Sequence, residues 1–434
     1  MTMTEGTLLS EILHYGAPLN LPASTPSLPF SAETLEIADE RRKRPVDDHS
    51  KLLKEGVQLW CDVCRRTAER AASPLLLPLS AGLDSRAVLA GLRANDISVQ
   101  TVTYGVPGAF DYELAPRIAD CAGASNERID LQTIEITRDR LIAVAATAPR
   151  PSSILDMFFN QLIPAQYGRS FSYINGFVGD ALAGNNLKTA EGFHWPEATR
   201  AFAKWHQASR TVRLTHSEMD PIAALPDAPL VDPGLLPSIQ QLDYAIRQQC
   251  MVRPIVCPPN VEVMMPFLDP SWCAFMLGLP EELRRNRAFF VELFQHGFPQ
   301  LFSLPTTATG GLPLGAKESE IRRYRKRLRR RRRFRTRLHR IFPRMSVPPA
   351  NRGWQYLDFR SLLREDTPLA QLFADSMARL DERRVAPWID ASGLLRSHRA
   401  CEADHFKALN VLLNLELLLT TRSDLFEPGS TGES

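Results

Sequence analysis

Four short apolar stretches, spaced so that a helix fits after each, constrain this chain most. Leu75–Leu79 is an apolar run interrupted only by Pro78, and Val99–Tyr104 alternates. Ile129–Ile136 and Phe171–Asn175 follow further along. Between them, Arg86–Ala94 and Asp111–Ala122 carry helical spacing, the second ended by Gly123. Strands alternating with helices in this way pair in parallel, because a parallel neighbour needs a crossover long enough to hold a helix. The pattern predicts an α/β domain built on a parallel sheet. Ahead of it, Lys51–Ala72 spaces Leu52, Leu53, Val57, Leu59, Trp60, Val63 and Cys64 as an amphipathic helix would.

Residues 1–50 hold Pro18, Pro22, Pro26 and Pro29 and lack a sustained period, so they read as a loosely ordered N-terminal arm packed on the body. Residues 51–190 form the α/β core, and residues 191–434 a largely helical half. In that half Asp220–Pro237 carries five prolines and reads as a surface crossing. Helical spacing then returns at Ser238–Gln249, Pro270–Leu279, Phe289–Phe298, Leu362–Leu380 and Ala403–Thr420. With 434 residues and 44% apolar content the chain can bury a real core. Its longest helix-like apolar stretch, Phe406–Leu419, is broken by Lys407, Asn410, Asn414 and Glu416, short of the ~20 residues of a membrane span. The N-terminal residues have no basic region followed by an apolar run, as a secretory signal would. Seven scattered cysteines make no disulfide framework. The expectation is a cytoplasmic protein of enzyme size.

The segment Leu75–Arg86, LLLPLSAGLDSR, carries the most chemistry. A strand delivers Ser80, a tight turn uses Gly82, and Ser85 opens a helix. Such a junction aims backbone N–H groups and a helix N-terminus at one point, where an anion such as pyrophosphate binds. Ser80 and Ser85 add hydroxyl donors. Asp84 would repel a phosphate directly; it suits a Mg²⁺ ligand, the metal bridging carboxylate and phosphate, or an ordinary helix N-cap.

The order Ser80-Ala-Gly-Leu-Asp-Ser85 resembles the Ser-Gly-Gly-x-Asp-Ser loop of the ATP pyrophosphatase (PP-loop) superfamily, whose domains are of the adenine nucleotide alpha hydrolase-like type. Ala81 stands in for the first Gly. Val102–Gly123 looks like the second strand and following helix of asparagine synthetase-type domains, where the strand end lies against adenosine and the Asp at the helix start, here Asp111, helps hold the loop. Ile174–Gly184, INGFVGDALAG, resembles that family's Ser-Gly-x-Gly-x-Asp-Glu-Leu-Phe-Gly motif. Gly176, Asp180, Leu182 and Gly184 match, while Asn175, Val178 and Ala181 replace the Ser, the second Gly and the Glu. Glu262–Pro270, EVMMPFLDP, and Leu279–Arg284, LPEELR, are similar to two further family segments. The matches span roughly residues 75–314, and more faintly the last helix.

The resemblance implies an ATP-dependent, amide-forming ligase that activates a carboxylate as an acyl-adenylate, releasing pyrophosphate and then AMP. It implies that Ser80, Gly82 and Ser85 cradle pyrophosphate, and that Leu79–Ala81 and Thr103, Tyr104 and Gly105 flank adenosine. Gly176 joins the ATP site, and Asp84 and Asp180 hold Mg²⁺. About 70 residues precede the loop, too few for the glutaminase domain with which full asparagine synthetases begin. The expected amine is therefore ammonia, free or from a partner amidotransferase, or another amine. The acid is a small-molecule or peptide carboxylate. The family's Lys before a Gly-Φ-Pro-Φ stretch is absent from Leu304–Leu314, and Lys317, shortly after, is the candidate catalytic replacement. Ala181 and the missing Lys leave open a catalytically degenerate nucleotide-binding or scaffold protein.

Charge adds a separate question. The net charge is +3, yet residues 322–344 hold 14 of the 52 Lys and Arg and no acid, leaving 38 bases against 49 acids elsewhere, a net of −11. Tyr324, Leu328, Phe334, Leu338 and Ile341 fall roughly on a helical stripe, so the segment is expected to dock on the acidic body. Nucleic acid, in an RNA-modifying PP-loop enzyme, and anionic lipid are the alternatives. Cys61-Asp-Val-Cys64 lacks the second ligand pair of a zinc site and reads as core packing within a helix, and His398 and His405 as structural.

Overall fold

The computed structural model describes residues 5–21, 26–44, 48–168, 170–185, 187, 194–341 and 357–426. Five parallel strands form one sheet: β1 (Leu75–Pro78), β2 (Val99–Gly105), β3 (Ser125–Asp130), β4 (Ser172–Ile174) and β5 (Val263–Met264). Their order is β3-β2-β1-β4-β5, with Leu75 opposite Val99 on one side and Ser172 on the other. The chain builds outward from β1 to β3, then crosses back to add β4 on β1's other edge. In open α/β sheets, ligands sit outside the carboxyl ends of the strands at such a reversal. Here that point is the end of β1, where the Ser80–Ser85 loop begins.

Successive side chains of a strand face opposite sides of its sheet. Leu76 accordingly joins a core with α6 (Arg138–Thr147), α7 (Ile154–Tyr167) and the last long helix, Phe406–Thr421. Leu75 and Leu77 join another with α3 (His49–Glu69), α4 (Asp84–Arg93), α5 (Phe110–Cys121) and the helices Pro270–Leu277 and Ala288–Gly297. Both faces are covered, as a parallel sheet requires. An α/β sheet domain with a helical remainder is thus present as expected.

Two expectations are corrected and one strand is added. The described residues among 1–50 are not a loosely ordered arm. They contain α1 (Glu5–Tyr15) and α2 (Ala32–Arg42), and Leu8, Leu9, Ile12 and Leu13 of α1 are core residues. Its Glu11 carboxylate accepts the Leu19 and Asn20 N–H groups, so the following turn is fastened from inside; Pro22 lies outside the described residues. The third strand runs over Ser125–Asp130, ahead of Ile129–Ile136, because pairing with β2 in register sets its position, and five of its six residues are exposed or only partly buried. The two-residue β5 was not foreseen: it exists because Tyr173 and Ile174 offer a free edge.

Cys61 and Cys64 lie within α3, and Cys64 is fully buried, its thiol pushed well up by burial. Beside it Trp60 donates its indole N–H to the Ala87 carbonyl at 2.8 Å and packs on Phe267 and Trp272. The α3–α4 contact is close because Gly91 has no Cβ: one built there would overlap Cys64 Sγ and lie 2.8 Å from Trp60 Nε1. A mid-helix Gly→Ala change ordinarily stabilises by up to about 1 kcal/mol. Here Gly91→Ala should instead destabilise by about 1–3 kcal/mol through overpacking. Urea denaturation of the two proteins decides the sign.

Candidate functional site

The loop between β1 and α4 is fastened on three sides. The Ala81 N–H donates to Asp111 Oδ1 at 2.7 Å, from the first turn of α5. The Ala81 carbonyl accepts the Thr306 hydroxyl, the Thr307 N–H and an Arg86 guanidinium N–H. The Thr103 hydroxyl, on β2, donates to the Leu79 carbonyl at 2.8 Å. Thr103, Tyr104 and Gly105 extend past the end of β1, whose last partner on β2 is Val102, and so wall one side of the loop. Ala81 does not have a positive φ and is fully buried, so a methyl group in place of the first glycine costs nothing there.

The loop's polar groups are turned on each other. The Ser80 N–H donates to Ser85 Oγ, the Gly82 N–H to Ser80 Oγ, and the two hydroxyls lie 3.1 Å apart. No side chain caps α4 at its N-terminus, where first-turn N–H groups lack intrahelical acceptors. The start of α4 thus presents N–H groups without a side-chain cap beside two serine hydroxyls.

Asp84 opens α4 and meets the second loop, the one that leaves β4. The Asp180 N–H donates to Asp84 Oδ2 at 3.1 Å. This approach depends on two glycines: a Cβ at Gly176 would lie 2.8 Å from Asp84 Cβ and 2.9 Å from its carbonyl carbon, and one at Gly179 would lie 2.9 Å from Asp84 Cγ. Asp180 follows, in the helical turn Gly179–Leu182. Its two oxygens accept from Arg287 Nη1 at 2.8 Å and Asn185 Nδ2 at 2.6 Å. Burial, then the Asp180 charge, push the Asp84 carboxyl up to about 8, against the pull of Arg287 and the Asp180 N–H. Burial likewise lifts Asp111 to about 6, while its bond from Ala81 works the other way.

Val178 precedes this turn with φ +70°, a left-handed conformation that a β-branched residue avoids. It stands where the sequence pattern calls for a second glycine, so that departure is accommodated by strain. Ala181, in place of the expected Glu, is buried and presents its carbonyl to the Tyr244 hydroxyl. A cleft opens beside it, walled by Phe202, Trp205, Ile239 and Tyr244.

The structure therefore gathers Leu79, Ser80, Ala81, Gly82, Asp84, Ser85, Gly176 and Asp180 at one place, with Thr103–Gly105 alongside. Lys317 stands apart: it is exposed, it precedes the basic helix, and its ammonium has no partner among the described residues. Sequence reasoning missed two arginines. Arg86, fully buried, donates to the carbonyls of Ala81, Leu301, Leu304 and Pro305 and binds the 301–307 segment to the loop. Burial lowers its guanidinium to about 10. The one hint in the sequence was its place beside the small and apolar run Ala87–Leu92, all of which is buried in the structure. Arg287 takes part through the fold alone. It sits with φ +65°, beside Asn286 at φ +57°, and nothing near it in sequence marks it.

Among the described residues no group of three or more His, Cys, Asp or Glu is placed to hold a metal ion. Two carboxylates without further protein ligands suit Mg²⁺, which keeps several waters and takes substrate phosphates as its other ligands. The raised Asp84 carboxyl is the observation that fits a cation there, since a second positive charge would relieve it. The chain matches no known family profile and no curated protein.

Asp84 also makes a stability prediction. Its carboxyl is raised on folding, so the folded state loses stability as pH climbs from the unfolded value near 3.8 through about 8. Asp84→Asn should be more stable than the parent without metal. The margin should widen from pH 4 to pH 8, reach a few kcal/mol at most and level off above. Melting curves across that range in chelator test this; a margin that shrinks with pH contradicts it.

Proposed function

We propose that this chain is an asparagine synthetase-like, ATP-dependent ligase that joins a carboxylate to ammonia or another amine, by way of an acyl-adenylate. The observation that carries the reading is the meeting of Asp84 and Asp180 above the uncapped start of α4, at the reversal point of a parallel sheet. In this reading the ATP phosphates lie against Ser80, Gly82 and Ser85, and adenosine against Leu79–Ala81 and Thr103–Gly105. Asp84 and Asp180 would hold Mg²⁺, which offsets negative charge on the departing pyrophosphate.

The substrate carboxylate attacks the α-phosphorus and pyrophosphate leaves; an amine then attacks the acyl carbon and AMP leaves. The protein's share is positioning and charge compensation. Arg287, already paired with Asp180, takes the charge role better than the exposed Lys317, which has no contact with either carboxylate among the described residues. The cleft beside Ala181 supplies an apolar wall for the acid or the amine. The rival reading is a nucleotide-binding protein without turnover, and Ala181 with the strained Val178 favours it.

Calorimetric titration with Mg²⁺ and an α,β-non-hydrolysable ATP analogue should show binding to the parent and its loss in both Asp84→Ala and Asp180→Ala, with folded circular dichroism spectra throughout. Binding undiminished in both variants would refute the site. Release of AMP and pyrophosphate that depends on an added acid separates a ligase from the non-catalytic rival.

Within that assay, Arg287→Ala should lower AMP release by about 10²–10³-fold, the usual effect of removing one electrostatic donor. Lys317→Ala should lower it less than threefold. The reverse ranking would return the charge role to Lys317.

A further inference from the structure

The basic segment is not absorbed by the ligase reading. It forms the helix Glu318–Ile341; residues 342–344 lie outside the described residues, and side chains are described as far as Arg331 and again at Phe334. Its first turns dock on the body through Ile321, which is buried, and Tyr324 and Leu328, which are half-buried. Arg325 adds a bond to the Ala308 carbonyl at 2.9 Å. The helix therefore docks through apolar residues and one arginine bond to a backbone carbonyl, not through ion pairs with acids of the body among the described residues. The eight bases between Arg322 and Arg331 are all exposed, and among the described residues only Arg322 has a carboxylate partner, Glu318 of its own helix. The acidic body does not neutralise them.

Their distribution narrows the partner. At 100° per residue the docked side chains occupy about 60° of the helix, while the eight bases sweep about 240° of the remainder. A helix lying in a membrane interface needs an apolar face turned into the acyl boundary. This one spends its docking stripe on its own protein, and among the described side chains beyond it only Phe334, 63% exposed, offers apolar surface. A wide arc of cations instead matches an anion that reaches both flanks of a helix, as the phosphates bordering a nucleic-acid groove do. Seven of the eight bases are arginines, whose planar fork pairs with phosphate oxygens two at a time. Without such a partner, like charges four apart, from Arg322 and Lys326 to Arg327 and Arg331, work against the helix.

We propose that the Glu318–Ile341 helix is a sequence-independent binding surface for the phosphate backbone of a nucleic acid. Its root lies against the turn that also holds the Ala81 carbonyl.

The test uses the full chain and fluorescence anisotropy of a labelled duplex of about 20 base pairs, at 50 and 200 mM salt. Six or more phosphate contacts should weaken binding about 10³-fold or more between those concentrations. Replacing Arg323, Lys326, Arg327 and Arg330 together by Gln should lower affinity at 50 mM salt at least tenfold and flatten the salt dependence. A companion variant with Lys at the three arginine positions should keep most of that dependence, because the charge remains. Circular dichroism checks that both retain their helix content. Unchanged affinity in the Gln variant overturns the proposal. So does equal or tighter binding of phosphatidylserine vesicles or polyglutamate at matched charge, which would reassign the surface to a membrane or an acidic protein.

Discussion

The approach of two loops over the end of β1 is the contact on which the rest of the site depends. Asp84 can receive the Asp180 N–H only because Gly176 and Gly179 present no Cβ to it. Bringing a carboxylate that close to a second one raises the cost of ionising it, since both burial and like charge oppose the anion. A fold would not keep such a pair for stability. It is tolerable because the two loops end adjacent strands, and the sheet holds those strands in register whatever the loops prefer.

Around that pair the protein uses arginine in two different ways. Arg86 is buried among carbonyl oxygens and works as a brace, tying four backbone groups from two distant segments to one side chain. Arg287 faces Asp180 and works as a counter-charge, held there by consecutive left-handed residues. The distinction follows from their acceptors: neutral carbonyls fix geometry, whereas a carboxylate partner also sets the local potential. The basic helix is a third case, in which the charge is left facing outward and the apolar residues do the anchoring.

Much of this is legible in the sequence alone. The loop Ser80–Ser85 could be read as a strand–turn–helix junction from its residue types and spacing, whereas its pairing with Gly176–Asp180 came only from the resemblance to asparagine synthetase-type domains. Strand β1 was legible because its apolar run is short and stands between helical patterns. Strand β3 was misplaced because its exposed, polar residues, such as Asn126 and Glu127, carry no apolar alternation, so only pairing with β2 defines it. The first fifty residues misled in the opposite way, since four prolines and polar stretches hid the apolar face of α1 that the core receives.

By itself the sequence determined the parallel α/β sheet, the strand–turn–helix loop after β1 and the concentration of positive charge in one segment. These are local matters of residue type and spacing, which act over a few bonds. The tertiary structure alone decided that Arg287, and not Lys317, stands at the carboxylates, that Arg86 is buried, and that the bases from Arg322 to Arg331 face solvent. Each of those outcomes rests on contacts between residues far apart in the chain. They are set by how whole elements pack, and no local preference of the side chain encodes that.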